Sequence, residues 1–249
     1  MVEKTRVLVV DDEPQIVRAL TLNLHALGYE VSSANSGEEA LVQASQHRPD
    51  AVILDLGLPG IDGIEVIRGL RGWTGVPVLV LSVREDEREK IAALEAGADD
   101  YVTKPFGMGE LVARLRAALR RAVDSDRSAP LIETSAFVID LGAKRVIRPG
   151  GEEIRLTPTE WGIVEMLATN EGKLISQVQL LKDVWGPTYG EETNYLRVFM
   201  AQIRRKLEPD PAAPRYFKTE PGMGYRFDNE DDSPGGSPPQ PAIQEREDS

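Results

Sequence analysis

At 249 residues the chain is long enough for two domains with separate cores. It contains no cysteine, which excludes disulfides, thiolate zinc sites and cysteine nucleophiles. The net charge of -12 would argue against nucleic acid only if it were spread evenly. It is not: residues 1–127 hold 21 acids and 15 bases, residues 131–227 hold 13 of each, and residues 228–249 hold 7 acids and one base. A small basic face is therefore permitted in the neutral middle segment. Val7-Leu8-Val9-Val10 is cut off by Asp11 too soon for a signal peptide. No apolar run approaches the roughly 18 residues of a membrane span, so a soluble, cytoplasmic protein without membrane contact is expected.

Arg6–Val10 reads as a first strand, ending in Asp11-Asp12-Glu13. Pro14 opens a helix with Ile16, Val17, Leu20, Leu24 and Leu27 at helical spacing, stopped by Gly28. Tyr29–Ala34 is a second strand, and Ser36 with Glu39 forms a capping box for the next helix. Ala51-Val52-Ile53-Leu54 is an unbroken apolar run that ends in Asp55 and the loop Leu56-Gly57-Leu58-Pro59-Gly60. Such a run reads as a buried central strand of a parallel sheet. A helix over about Gly63–Leu70 follows, then a strand Pro77–Leu81 ending at Ser82. A charged helix spans about Asp86–Ala96 and stops at Gly97. Tyr101-Val102 is a short fifth strand before Thr103-Lys104-Pro105, and a last helix covers about Gly109–Arg121. Strand and helix alternating at this spacing predict a doubly wound, five-stranded parallel sheet of the α/β class.

That architecture has a consequence for the polar residues. Asp11-Asp12, Asp55, Ser82 and Lys104 each follow the carboxyl end of a strand and should meet on one rim, where open α/β sheets bind ligands. Singly, each has an ordinary reading: a helix N-terminal acid pair, a loop-start aspartate, a solvated lysine. Together, three carboxylates invite a hard divalent cation, Mg²⁺, with oxygen ligands. A lysine and a hydroxyl opposite them would pair with a tetrahedral anion on Asp55. The chemistry that fits is attack of the Asp55 carboxylate on a phosphoryl group. A phosphatase with an aspartate nucleophile would need a second Asp two residues on as its acid/base, and Gly57 stands there.

V-L-V-V-D-D-E, Asp55 before L-G-L-P-G, Ser82 and Lys104-Pro105-Phe106 resemble the flavodoxin-like receiver domain of two-component response regulators, over residues 4–122. The resemblance implies that Asp55 is the phosphoacceptor and a sensor histidine kinase the donor. It implies Mg²⁺ ligands at Asp12, Asp55 and the Gly57 carbonyl, with Asp11 holding a metal-bound water. Ser82 and Lys104 would bind phosphoryl oxygens, Tyr101 would be the switch aromatic, and the Lys104–Pro105 bond would be cis. It further implies a homodimer through the fourth helix, fifth strand and fifth helix. There Lys90 would pair with Glu110, Asp100 with Arg114 and Asp99 with Arg121, around Leu94 and Ala113. Asp99 and Asp100 alone would otherwise read as a capped, solvated strand start.

Residues 123–130 (VDSDRSAP in full) are polar and read as a linker. Strand-like pieces follow at Phe137–Asp140, Lys144–Arg148 and Glu153–Leu156, with a Gly150-Gly151 turn. Thr157-Pro158-Thr159-Glu160 is a capping box that opens a helix, and Ser176 with Gln179 opens a second one through Trp185. After a loop over Pro187–Glu191, a third helix runs over about Glu192–Leu207. Leu196, Phe199, Met200, Ile203 and Leu207 form its apolar stripe, while Asn194, Arg197, Ala201, Arg204 and Arg205 fall on the other side. This side, with Arg226 beyond it, is expected to contact DNA, and its cations are expected to have few internal partners. Tyr216–Thr219 and Tyr225–Phe227 flank a Gly-rich turn as hairpin arms. The order helix, helix, loop, helix, hairpin describes a winged helix-turn-helix, whose last helix enters the major groove.

L-T-P-T-E-W, L-L-K-D-V-W-G, R-R-K-L-E-P and G-M-G-Y-R-F over residues 131–227 resemble the OmpR/PhoB-type effector domain. The resemblance implies binding to double-stranded promoter DNA, with the loop near Pro187–Glu191 as a contact for RNA polymerase. D-L-G-L-P-G-I-D-G, Arg71-Gly72-Trp73, V-L-V-L-S-V-R-E, V-W-G-P and Y-L-R-V-F-M are similar to the subgroup that regulates the Kdp potassium-uptake operon. A phosphorylation-independent DNA-binding protein, using its receiver only to dimerise, is the alternative. Residues 228–249 are acidic and rich in Pro, Gly and Ser, and are expected to be disordered. They are either a solubilising extension or an acidic mask for the basic helix.

Overall fold

A computed structural model describes residues 4–83, 86–123, 131–190 and 192–229, without the side chains of 121–123. The expected linker beyond residue 123 and the acidic tail beyond residue 229 lie outside the described residues.

The first half is a five-stranded parallel sheet in the order β2-β1-β3-β4-β5, formed by β1 (Arg6–Val10), β2 (Glu30–Ala34), β3 (Ala51–Asp55), β4 (Val78–Ser82) and β5 (Asp100–Thr103). Every residue of β3 and β4 is buried, because helices cover both faces. The side chains alternate across the sheet. Val7, Val9, Ile53, Leu79 and Leu81 pack with Leu20 and Leu24 of α1 (Pro14–Ala26) and with Leu111 and Leu115 of α5 (Met108–Val123). Leu8, Val10, Val52, Leu54, Val78 and Val80 face the other way. They meet Ala40 and Ala44 of α2 (Gly37–His47), Val66 and Ile67 of α3 (Gly63–Arg71), and Ala93 and Leu94 of α4 (Glu87–Ala96).

Local chemistry sets the helix starts. Pro14 stands in the first turn of α1, and the side chains of Ser36, Asp62 and Asp86 accept backbone N–H groups at the starts of α2, α3 and α4. The Ser36 box is skewed, since Glu39 returns to the amide of Asn35 at 3.0 Å rather than to that of Ser36. Gly63 is required by close approach: a Cβ there would sit 2.7 Å from the Asp55 carbonyl oxygen.

The second half opens with an antiparallel sheet, β6 (Leu131–Glu133), β7 (Val138–Asp140), β8 (Arg145–Ile147) and β9 (Glu153–Ile154) in that order. β6, directly after the polar stretch read as a linker, was not expected. Thr157 and Glu160 form the full reciprocal capping box of α6 (Pro158–Thr169). Then come β10 (Ile175–Ser176), α7 (Gln177–Trp185) and α8 (Thr193–Leu207). The wing strands β11 (Phe217–Glu220) and β12 (Gly224–Phe227) join β10 in the order β10-β12-β11. A Cβ at Gly224 would fall 2.0 Å from the Ile175 carbonyl oxygen, so only glycine lets β12 lie against β10.

The two halves pack on each other. α8 lies against α4, and α6 and α7 lie against α5. One buried apolar cluster runs from Leu94 and Tyr101 in the first half to Trp185, Tyr195 and Phe199 in the second. No described helix is long and apolar enough to cross a membrane.

Candidate functional site

Asp55 ends β3 and Asp11 follows β1 directly, so both stand at the carboxyl edge of adjacent strands. In the register Asp55 faces Leu81, which places Ser82 one residue further along the neighbouring strand. Ser82 in turn faces Thr103, the residue before Lys104. The four sets of polar residues therefore meet on one rim. Lys104 Nζ lies 2.8 Å from Asp11 Oδ2 and 3.2 Å from Asp55 Oδ1, with Glu13 Oε1 at 3.5 Å. Glu13 had no assigned place in the sequence reading; it sits there because α1 begins at once after the Asp pair. The Lys104–Pro105 bond is cis. The Gly57 amide donates to Asp55 Oδ2 at 3.1 Å.

Burial raises the carboxyl pKa of Asp55 above its ordinary value; Lys104 pulls it down, Asp11 pushes it up, and the Gly57 amide lowers it. For Lys104, burial acts downward, but the hydrogen bond to Asp11 and the charges of Asp55 and Asp11 outweigh it and raise its pKa. The rim is thus a buried carboxylate held against a lysine that stays charged. Carboxylate oxygens of Asp11, Asp12 and Asp55 lie within 4.8 Å of one another, and Asp12 is exposed. Three hard oxygen donors, of which Asp12 is the exposed one, fit Mg²⁺, which keeps part of its water shell.

On the second half, Asn194, Arg197, Ala201 and Arg205 lie on the exposed face of α8. Arg204 does not share it. Its Nε and Nη2 donate to the Phe217 carbonyl at 2.9 and 2.6 Å, and Nη2 also donates to Thr219 Oγ1 at 2.6 Å. Arg226 forms an ion pair with Glu220 at 2.9 Å. The expectation that these cations have few internal partners is corrected for both. Arg204 lies at the edge of the apolar stripe, where the wing folds back on the helix, and the sequence period cannot show that return.

Residues 7–116 match the response regulator receiver domain, and residues 151–227 match the C-terminal domain of transcriptional regulatory proteins. The chain is 59% identical to the Mycobacterium tuberculosis transcriptional regulatory protein KdpE over 225 residues, covering 90% of this chain and 99% of that protein. It is 52% identical to the KDP operon transcriptional regulatory protein KdpE of Escherichia coli K12, covering 90% and 99%. A solved structure of a RitR mutant superposes with a TM-score of 0.73 at 28% identity, covering 90% of this chain and 98% of that one. The chain belongs to the OmpR/PhoB-type response regulators.

The face expected to pair two response regulators is covered here by the chain's own winged-helix domain. Asp99 and Asp100 are 0% and 1% exposed, not a solvated strand start. Asp99 Oδ2 takes Arg71 Nη2 at 2.8 Å, and its Oδ1 takes the amide and hydroxyl of Thr159 at 3.1 and 2.9 Å. Its carbonyl takes Trp185 Nε1 at 3.0 Å. The Tyr189 hydroxyl donates to Asp100 at 2.6 Å, and Arg114 lies 3.2 Å from Asp100 with its guanidinium 4.3 Å over the Tyr189 ring. Within the chain Glu110 pairs with Arg114 at 2.7 Å. Arg121 cannot be placed against Asp99, because its side chain lies outside the described residues. Leu94 is buried, whereas Ala113 is exposed. Within the loop Pro187–Glu191, Tyr189 is buried and Glu191 lies outside the described residues. Arg71, Thr159, Trp185 and Tyr189 escaped the sequence reading as partners of β5, because each carries an adequate local explanation.

Proposed function

We propose that this chain is a cytoplasmic, phosphorylation-controlled transcription factor for potassium-uptake genes, as the names of its KdpE relatives suggest. A sensor histidine kinase donates the phosphoryl group. An Asp55 carboxylate oxygen bonds to phosphorus while the phosphorus–nitrogen bond of the donor histidine breaks, its electron pair leaving with the imidazole. Lys104 stays charged beside the acceptor and balances the negative charge that accumulates there. Asp11, Asp12, Asp55 and the Gly57 carbonyl would hold Mg²⁺, which supplies further neutralisation of the phosphoryl oxygens. Ser82 takes a phosphoryl oxygen and Tyr101 follows it. The face of α4, β5 and α5 then pairs with a second copy, Asp100 with Arg114 and Asp99 with Arg121, which sets two α8 helices at the spacing of two half-sites. Asn194, Arg197, Ala201 and Arg205 read and clamp promoter DNA, with the wing supported by Arg204 and Arg226. The loop around Pro187–Glu191 is available to RNA polymerase once Tyr189 is released.

The observation that carries this reading is Lys104 bridging Asp11 and Asp55 at 2.8 and 3.2 Å. A receiver used only for dimerisation has no need of that complete rim. The test is incubation with Mg²⁺ and acetyl phosphate: wild type should gain one acid-labile phosphoryl group and Asp55→Asn none. Equal labelling of both would overturn Asp55 as the acceptor.

A further inference from the structure

A cavity of about 670 Å³ lies between the two halves and shares no residue with the rim around Asp55. Its receiver wall is the end of α3, the loop after it and the end of α4. Its winged-helix wall is β8, β9 with the loop after it, the start of α6 and the end of α8. That volume, at a junction of two domains, is typical of a small-molecule site. Six basic and three acidic side chains line it, which favours an anion. Three of the basic ones are already paired: Arg71 with Asp99, Arg145 with Asp140 and Lys206 with Glu160. Arg155 and Arg205 are exposed and have no ion pair among the described residues.

The same walls carry buried polar atoms without partners. Trp161 Nε1, Gln202 Oε1 and Glu160 Oε1 make no hydrogen bond, although their residues are only 5%, 6% and 1% exposed. The companion atoms are committed elsewhere. Glu160 Oε2 accepts both the Thr157 amide at 2.7 Å and Lys206 Nζ at 2.5 Å, and Gln202 Nε2 donates to the Leu94 carbonyl at 2.7 Å. Buried donors and acceptors left unpaired are costly, and native proteins keep few of them. One unmet donor and two unmet acceptors thus stand in a cleft with two unpaired guanidinium groups. A purine carries the complementary edge, N–H donors beside a ring nitrogen or carbonyl acceptor. Phosphate is the anion that matches a guanidinium fork. On the receiver wall Trp73 is 46% exposed, and its indole offers a face on which a base can stack.

We propose that the cleft between the two halves is a binding site for a purine nucleoside monophosphate. Arg155 and Arg205 take the phosphate, and Trp161, Gln202 and Glu160 take the edge of the base, which lies against Trp73. Both halves supply walls, so an occupied site stabilises their packing by mass action. The site is separate from the phosphoacceptor and needs no phosphoryl group on Asp55. Arg205 borders both this cleft and the face assigned to DNA, so the test has to separate the two.

The experiment uses the full chain with EDTA, which keeps nucleotide–metal complexes off the rim. Titration calorimetry with GMP and with AMP should show one saturable site for at least one of the two. Guanosine, ribose 5-phosphate and inorganic phosphate should each bind at least about tenfold more weakly, since each lacks the phosphate or the base. Arg155→Ala should weaken nucleotide binding about tenfold, and Trp161→Phe, which keeps a ring but loses the N–H, about fivefold. Arg197→Ala, on the face assigned to DNA, should bind the nucleotide as wild type does. Bound nucleotide should slow amide exchange at residues 95–97 and 153–157 together, because the walls come from both halves. Absence of saturable binding for both nucleotides would overturn the site, and so would equal affinity for ribose 5-phosphate or inorganic phosphate, the mark of an adventitious anion. Unaltered affinity in either Arg155→Ala or Trp161→Phe, or protection confined to one half, would overturn it as well. A loss in Arg197→Ala equal to that in Arg155→Ala would put the nucleotide on the DNA surface instead.

Discussion

The rim around Asp55 and the face around Asp100 are both acidic, both buried and less than a sheet's width apart, yet they are built differently. On the rim, Asp11, Asp55 and Lys104 come from three strand ends of one domain, and the lysine closes the set at 2.8 and 3.2 Å. At Asp99 and Asp100 the partners come from both domains: Arg71 and Arg114 from the receiver, Thr159, Trp185 and Tyr189 from the winged helix. The rim is completed by its own fold. The face is completed by the winged-helix domain that covers it. A self-contained site can be damaged only in its chemistry, whereas a shared one can also be damaged in its choice of partner.

The largest effect expected from breaking this comparison is at the rim. Lys104→Met should reduce labelling from acetyl phosphate by at least an order of magnitude while leaving the fold intact, since removing a donor aimed at developing charge costs roughly 2.7–4 kcal/mol. Labelling within twofold of wild type would show that Lys104 only packs against Asp11.

Arg114→Glu tests the face. It sets a carboxylate against Asp100 and removes the cation over the Tyr189 ring. Labelling should be normal, the activated protein should remain monomeric by sedimentation, and affinity for a two-half-site duplex should fall. A dimer that still forms on activation means the pairing face lies elsewhere. Asp100→Arg combined with Arg114→Glu should restore part of the dimer, because the pair is reversed rather than abolished.

The DNA side sharpens the contrast between a reader and a support. Arg197→Ala should cost about 1–3 kcal/mol on the operator if it reads a base, relaxing preference at one position. Arg204→Ala removes three hydrogen bonds that tie α8 to the wing. It should weaken operator and scrambled duplexes alike and speed exchange in β11. Titrations at several salt concentrations separate the two, and a base-specific loss in Arg204→Ala would contradict the support role.

The smallest effect concerns pH and stability. The Asp55 pKa is raised in the fold, chiefly by burial, so its folded form binds a proton more readily than the unfolded chain does. That contribution favours the fold at low pH and is lost as pH rises through the folded value, leaving an ionised, desolvated carboxylate at neutrality. In Mg²⁺-free buffer at neutral pH, Asp55→Asn should therefore melt a few degrees higher than wild type, the difference shrinking on acidification. A variant that melts lower at neutral pH would mean that Lys104 outweighs the burial cost.

The receiver strands and the convergence of Asp11, Asp55, Ser82 and Lys104 were legible in the sequence for a physical reason. A buried parallel strand must be apolar along its length, the loop after it must start where the apolar run stops, and βαβ units of fixed hand put those stops on one edge. The cap residues Thr157 and Glu160 and the stripe of α8 were legible on the same terms, since each depends on neighbours within a few residues. Tertiary structure alone decided the partners of Asp99, Asp100 and Arg204. Asp99 and Thr159 are 60 residues apart, and Asp100 and Tyr189 are 89 apart. No periodicity spans such distances, and each of these side chains already has a sufficient local role. An aspartate at a strand start, a threonine in a helix's first turn and a tyrosine in a loop become a clasp only when the two halves of the chain meet.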